Sequence, residues 1–223
     1  DGTAGDFQVT SGQAVVQHGT PSEDIKLAFS SVNGDVYVGF DFSVDNLGAP
    51  YSGSDNEYFA HLDFKARMDI VPPSDGGDFS VGIASNNKTA DDTWPSDLTF
   101  GTSYRAIIKF DQLTGTAQLW ISPTASTDTS ISGPDSGAFS VAEFELRQSD
   151  SSENETIRVD NLMIGQTFDD VVTFVASNTP ELSIGGFTEN QVFSPETTEV
   201  PLNVSLNNFT LSADDGSGAT DNS

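Results

Sequence analysis

The sequence predicts an all-β protein, an antiparallel two-sheet jelly-roll sandwich, on three observations. Apolar and polar residues alternate with a period of two along several runs. Helical periodicity is nearly absent, and 20 Gly and 10 Pro punctuate the chain at short intervals. The 16 Phe supply the bulk that a sandwich core needs even though only 35% of the residues are hydrophobic.

The first clear strand is "DVYVGFDFSV", in which Val36, Val38, Phe40, Phe42 and Val44 share one face, opposite Asp35, Tyr37, Asp41 and Ser43. In "FAHLDFKARMDI", Ala60, Leu62, Phe64, Ala66, Met68 and Ile70 face one way, and Phe59, His61, Asp63, Lys65, Arg67 and Asp69 the other. Further strands are expected at "DFSVGIAS", "YRAIIKF", "AQLWISP", "FSVAEFELRQ" and "ETIRVDNLMIG". Short helical turns are expected at "SEDIKLAF" or "DLTFG".

This register breaks near residue 178. From "NTPELSIGGF" onward the chain is acidic with no Lys or Arg, and "PELSIGGF" and "TEVPLNVSLNNFTLSA" read as strands. The expected division is a jelly roll over residues 1–178 and, over 179–223, a linker with the opening strands of an Ig-like module. The alternative is a C-terminal extension packed along the first domain. The opening "DGTAGDF" reads as a mature or trimmed start.

Charge narrows the partners. With 8 Lys+Arg against 34 Asp+Glu, the net charge is −26, which argues against nucleic acid and acidic membranes, because phosphate binding needs clustered cations. The surface suits salty water or divalent cations held by carboxylates. No Cys is present, so disulfides play no part. No run approaches the length of a membrane-spanning helix. Four N-x-S/T sequons (Asn87, Asn154, Asn203, Asn208) carry little weight in so Asn/Ser/Thr-rich a chain.

The segments "YRAIIKFDQLTGTAQLWISP" and "FELRQSDSSENETIRVDNLMIGQTFDDV" resemble the concanavalin A-like, laminin-G-like jelly rolls of secreted bacterial surface proteins, of the marine Bacteroidetes type. "DVYVGFDFSV", "EYFAHL" and "GGDFSVGIAS" fit upstream strands of the same pattern, so the resemblance covers about residues 25–172. It implies the fold, and a mostly non-catalytic domain carried by adhesins, polysaccharide-degrading enzymes or extracellular nucleases.

Catalytic signatures are missing. Jelly-roll glycosidases set three carboxylates on one strand, and here "EFELR" offers only Glu143 and Glu145. The strands that jelly-roll alginate lyases need besides that one are absent, and "YFAHLDFKAR" is a superficial likeness. His occurs only at positions 18 and 61, with no nucleophile elbow, phosphate loop or His/Cys metal spacing. Glu143, Glu145 and His61 are read first as surface or structural groups.

Calcium is the cofactor that the composition allows, since it takes six to eight oxygen ligands from carboxylates and loop carbonyls. The candidate loops are "SGSDNE" (Asp55, Asn56, Glu57), "SDGGD" (Asp75, Asp78) and "NNKTADD" (Asn86, Asn87, Asp91, Asp92). Of these, Asp55, Asn56, Glu57, Asp91 and Asp92 are the expected ligands.

For a glycan, aromatic rings and flanking polar groups are the signal. If the aliphatic faces of "YRAIIKF" and "AQLWISP" point inward together, Trp120 lies outside, near Arg105 or Lys109; the preferred reading keeps Trp120 in the core. Trp94, in the loop "DDTWPSD", is a ligand candidate or a plug at the sandwich end, and Tyr51 carries the same ambiguity. His61, Arg67 and Arg105 complete the candidate ligand set. All four Arg (67, 105, 147, 158) fall on expected strands, where pairing with Asp63, Asp69, Glu145 and Asp160 is the simple reading; a cluster on one face would suit an anionic polysaccharide. The expected function is a non-catalytic, polysaccharide-binding module of a larger secreted or cell-surface protein. The alternatives are a structural spacer or adhesion module, or an accessory domain of a secreted polysaccharide-degrading enzyme or nuclease.

Overall fold

The computed structural model describes residues 6–17, 23–54, 56–149 and 153–173, and the backbone of two strands at 181–185 and 203–207. The strands run in order β1 (Gln8–Thr10), β2 (Gln13–Val16), β3 (Ile25–Ala28), β4 (Asp35–Val44), β5 (Ala60–Leu62), β6 (Lys65–Val71), β7 (Ser80–Ala84) and β8 (Asp92–Thr93). They continue as β9 (Tyr104–Asp111), β10 (Thr116–Ile121), β11 (Ile131–Ser132), β12 (Glu143–Leu146) and β13 (Ile157–Gly165), followed by one 3₁₀ turn at Phe168–Asp170. The pair β14 (Glu181–Gly185) and β15 (Asn203–Asn207) comes after.

Two antiparallel sheets form the sandwich. One has the order β1-β2-β13-β4-β9-β10-β11 and the other β3-β12-β5-β6-β7-β8. Consecutive hairpins (β1-β2, β9-β10-β11, β5-β6-β7-β8) are joined by long-range pairings (β2-β13-β4-β9 and β3-β12-β5), as in a jelly roll. The alternation seen in the sequence is the alternation of the fold. Val36, Val38, Phe40, Phe42 and Val44 of β4 and Ala106, Ile108 and Phe110 of β9 all enter the inter-sheet core. From the facing sheet come Ala60, Leu62, Met68, Ile70, Val81, Ile83, Phe144 and Leu146. Each fully buried Phe, such as Phe40, Phe59, Phe79 and Phe110, contributes about 1.5–3 kcal/mol by leaving water.

Three expectations are corrected. "FAHLDFKARMDI" is two strands joined by a two-residue turn at Asp63 and Phe64, with Leu62 opposite Lys65. Inward parity survives for Ala60, Leu62, Ala66, Met68 and Ile70, but Phe64, expected on that face, stands 54% exposed in the turn, and Phe59, expected on the outer face, is inaccessible and packs against Phe40 and Phe42. Within "SEDIKLAF", Ile25–Ala28 is an edge strand paired with β12, because β12 offers it a free ladder. Among the described residues, the helical turn lies instead at Phe168–Asp170.

Contacts divide the chain into two compact units, Asp1–Phe174 and Val175–Ser223. In the second unit, β14 pairs antiparallel with β15, Glu181 opposite Asn207. The rest of the proposed Ig-like module lies outside the described residues.

Candidate functional site

The two outer faces of the sandwich differ. On the seven-stranded sheet, Ile107 and Trp120 point outward and are covered by Phe168 and Val171, which form a second small core. Trp120 therefore lies on the face that alternation predicts, yet it is only 3% exposed, with Phe168 edge-on to its ring at 5.4 Å. It belongs neither to the inter-sheet core nor to a ligand surface. Arg105 is likewise committed: it donates to the carbonyls of Val171 and Asn161 and pairs with Asp41 at 3.2 Å. A bulge in β13 at Asn161, which sits at φ 53°, aims that carbonyl at the guanidinium. The Ile107–Trp120 patch of this face is covered by the protein's own chain.

The six-stranded sheet carries polar and aromatic groups on its outer face. Register places Glu145 of β12 between Lys26 of β3 and His61 of β5. Lys26 binds both carboxylate oxygens of Glu143, at 3.0 and 2.8 Å. His61 is inaccessible; its Nδ1 accepts the Phe64 N–H at 3.0 Å, so the ring proton sits on Nε2, which makes no hydrogen bond among the described residues. Burial, then the nearby Arg67 and Arg147, lower its pKa from 6.5 to about 3, so the imidazole is neutral. Tyr58 lies edge-on to His61 and takes the guanidinium groups of both Arg67 and Arg147 at 4.8 Å from its ring centroid.

Beside this cluster stands an aromatic ring that sequence reasoning did not single out. Phe64 is 54% exposed and stacks on His61 at 4.9 Å with an interplanar angle of 21°. Asp63 and Phe64 both lie in the left-handed region, at φ 47° and 60°, as a type I′ hairpin turn demands. Asn-Gly suits such a turn, and a bulky side chain there stores strain of about 1–3 kcal/mol. The strain is held by partners on both sides: the Asp63 carboxylate accepts the backbone N–H groups of Ala142 and Glu143. Three carboxylates, Asp63, Glu143 and Glu145, have oxygens within 4.8 Å of one another and could hold a cation. Burial first, then Glu143 and Asp63, raise the pKa of Glu145. The signal in the sequence was "LDFK", a two-residue interruption that alternation alone cannot reveal.

The remaining candidates are spread out. Arg67 shares the His61 cluster, donates to the Asn86 carbonyl at 2.7 Å and leaves its buried Nε without an acceptor among the described residues. Tyr51 packs into the inter-sheet core and its hydroxyl meets Glu153 at 2.9 Å; burial and then Glu155 raise its pKa. Trp94 packs partly buried against the core, as a plug would. Asp55 lies outside the described residues. Asn56 accepts from Ser54, and Glu57 pairs with Arg147 at 3.1 Å. Asp91 accepts from Ser85 and Asn87, while Asp92 accepts from Thr93. These carboxylates serve their own loops and strands, and the acidic triad is drawn from other residues. In "SDGGD", Asp78 accepts from Phe100, but the loop is organised by Asp97, which accepts from Ser74, Asp75 and Gly77 and whose pKa those bonds lower. The four Arg do not gather: Arg105 and Arg158 sit on one sheet and pair with Asp41 and Asp45, carboxylates other than those expected.

Comparison with known proteins adds breadth without a family. No protein-family model and no curated protein matches the chain. Among solved structures, a Lotus tetragonolobus seed lectin is 14% identical with a TM-score of 0.44, covering 73% of this chain and 92% of the lectin. A botulinum neurotoxin type C structure, described by its dependence on two ganglioside molecules for cell entry, is 9% identical with a TM-score of 0.49. It covers 72% of this chain, which spans 41% of that one. A sialidase is 11% identical with a TM-score of 0.42, covering 73% of this chain and only 16% of the sialidase.

Proposed function

We propose that residues 6–173 form a non-catalytic glycan-recognition module, carried by a larger secreted or cell-surface protein, with its contact surface on the outer face of the six-stranded sheet around Phe64. The observation that carries this reading is Phe64 itself, a half-exposed ring held in a strained turn and backed by the buried His61. Strain at an exposed aromatic is expected where the ring has a task outside the fold. The apolar C–H face of a sugar stacks on such a ring while flanking carboxylates and ammonium groups take its hydroxyls. Asp63, Glu143, Glu145 and Lys26 provide those partners beside it. β12 offers only Glu143 and Glu145, short of the three carboxylates that jelly-roll glycosidases set on one strand, which supports binding without turnover.

The test is a panel of soluble polysaccharides and oligosaccharides, measured by gel shift and calorimetry, with product analysis in the same tubes. Binding to at least one glycan is expected, weakened at least about tenfold in Phe64→Gly, with no new reducing ends. Silence of the parent protein across the panel would turn the reading to a spacer or adhesion module.

A further inference from the structure

We infer that the sugar unit taken at Phe64 carries an ammonium group, so that the ligand is an amine-bearing glycan; this rests on the glycan reading above. The three neighbouring carboxylates are not equivalent. Asp63 accepts the Ala142 and Glu143 N–H groups, and Glu143 is neutralised by Lys26. Glu145 is 8% exposed, so more than nine-tenths of it is buried, and it faces Asp63 and Glu143 across less than 4.8 Å. Its nearest basic neighbour is His61 Nδ1 at 3.8 Å, but that lone pair already takes the Phe64 N–H and has no proton to give. A largely buried carboxylate beside two others, with no hydrogen-bond donor among the described residues and Lys26 committed to Glu143, is unfavourable until a cation arrives.

The chemistry of that cation follows from what surrounds it. Lys26 on Glu143 shows that an ammonium fits the rim of this cluster. Calcium wants six to eight oxygens, and part of the lone-pair capacity of Asp63 and Glu143 is already engaged by N–H donors. An ammonium needs only a few acceptors, and the face of the Phe64 ring attracts a cation as well as a sugar C–H surface. A carboxylated or sulfated glycan would meet three carboxylates with only Lys26 to offset them.

The experiment is titration calorimetry at physiological salt, in EDTA and again with excess calcium, of a glucosamine tetrasaccharide, its fully N-acetylated counterpart and a neutral glucan oligosaccharide. Parent, Glu145→Gln and Phe64→Gly proteins are compared after thermal melting has established that each folds. We expect the free-amine tetrasaccharide to bind at least about tenfold tighter than the acetylated one, Glu145→Gln to erase that difference, and Phe64→Gly to weaken both. Equal affinity for the two tetrasaccharides would overturn the ammonium inference and leave the glycan reading standing. Binding that requires calcium would overturn it in favour of a metal. Amine binding indifferent to Phe64→Gly would mark simple attraction to the −26 charge and also overturn it. Failure of all three sugars to bind the parent would overturn the ammonium inference, and silence across the wider panel as well would overturn the glycan reading.

Discussion

Arg105 donates twice to the carbonyl oxygen of Val171, from Nε at 3.1 Å and from Nη2 at 2.8 Å, across 66 positions of sequence. This clamp fastens the segment after β13 onto the outer face of the seven-stranded sheet, and it explains why β4 has a glycine in its middle. A Cβ at Gly39 would stand 2.4 Å from the Val171 oxygen and 2.7 Å from Arg105 Nη2.

Gly39→Ala should therefore destabilise the domain by about 1–3 kcal/mol, the range for overpacking a filled site. Arg105→Lys keeps the charge but loses the fork, and should cost about 2 kcal/mol. Urea denaturation checks both, and the pair should be less than additive because they break one contact. Full additivity would mean that the clamp is not what Gly39 protects.

Trp120→Ala should remove about 3–5 kcal/mol, the usual cost of deleting a buried aromatic. Its effect should fall first on residues 168–172, whose Phe168 and Val171 lose the ring they cover. Hydrogen exchange should show faster opening there than in β4 or β9. Glycan binding should survive in the folded fraction, since the Phe64 surface lies on the other sheet.

Stability should fall with acid in a window belonging to His61. Its folded value of about 3 lies below the ordinary 6.5, so the unfolded chain takes up a proton that the native state refuses. The contribution is complete above pH 6.5 and declines by about 1.4 kcal/mol per pH unit as pH falls toward 3. Glu145 works in the opposite sense: its raised pKa makes the native state the better proton acceptor, so its unfavourable contribution is relieved as pH falls through the folded value. Denaturation midpoints between pH 6.5 and 4.5 should flatten in His61→Asn and steepen in Glu145→Gln.

The Phe64 turn offers a comparison of two small residues. At φ 60°, Gly is free of the strain that any side chain with a Cβ meets, so Phe64→Gly should be more stable than Phe64→Ala by about 1 kcal/mol. Thermal or urea unfolding of the two variants decides it, and equal stabilities would mean that the turn relaxes around Ala.

Alternation alone determined which side chains of β4, β9 and β10 face the core; followed strictly it puts Trp120 outward beside Arg105, where the structure has it, against the preferred reading that kept Trp120 in the core. A period of two is written locally, one residue at a time, and burial of one sheet face enforces it. Whether an outward residue meets water was decided elsewhere in the chain. Phe168 and Val171 cover Trp120 only because the clamp brings them back over the sheet. The candidate site was gathered by strand order: β12 lies between β3 and β5, so Lys26, Glu145 and His61 meet although no local pattern joins them. The turn at Asp63 and Phe64 was hidden for a related reason. Neither residue favours left-handed backbone enough to announce it, and the conformation holds because His61 binds it from within the hairpin while Ala142 and Glu143, brought up by the tertiary structure, bind it from the other side.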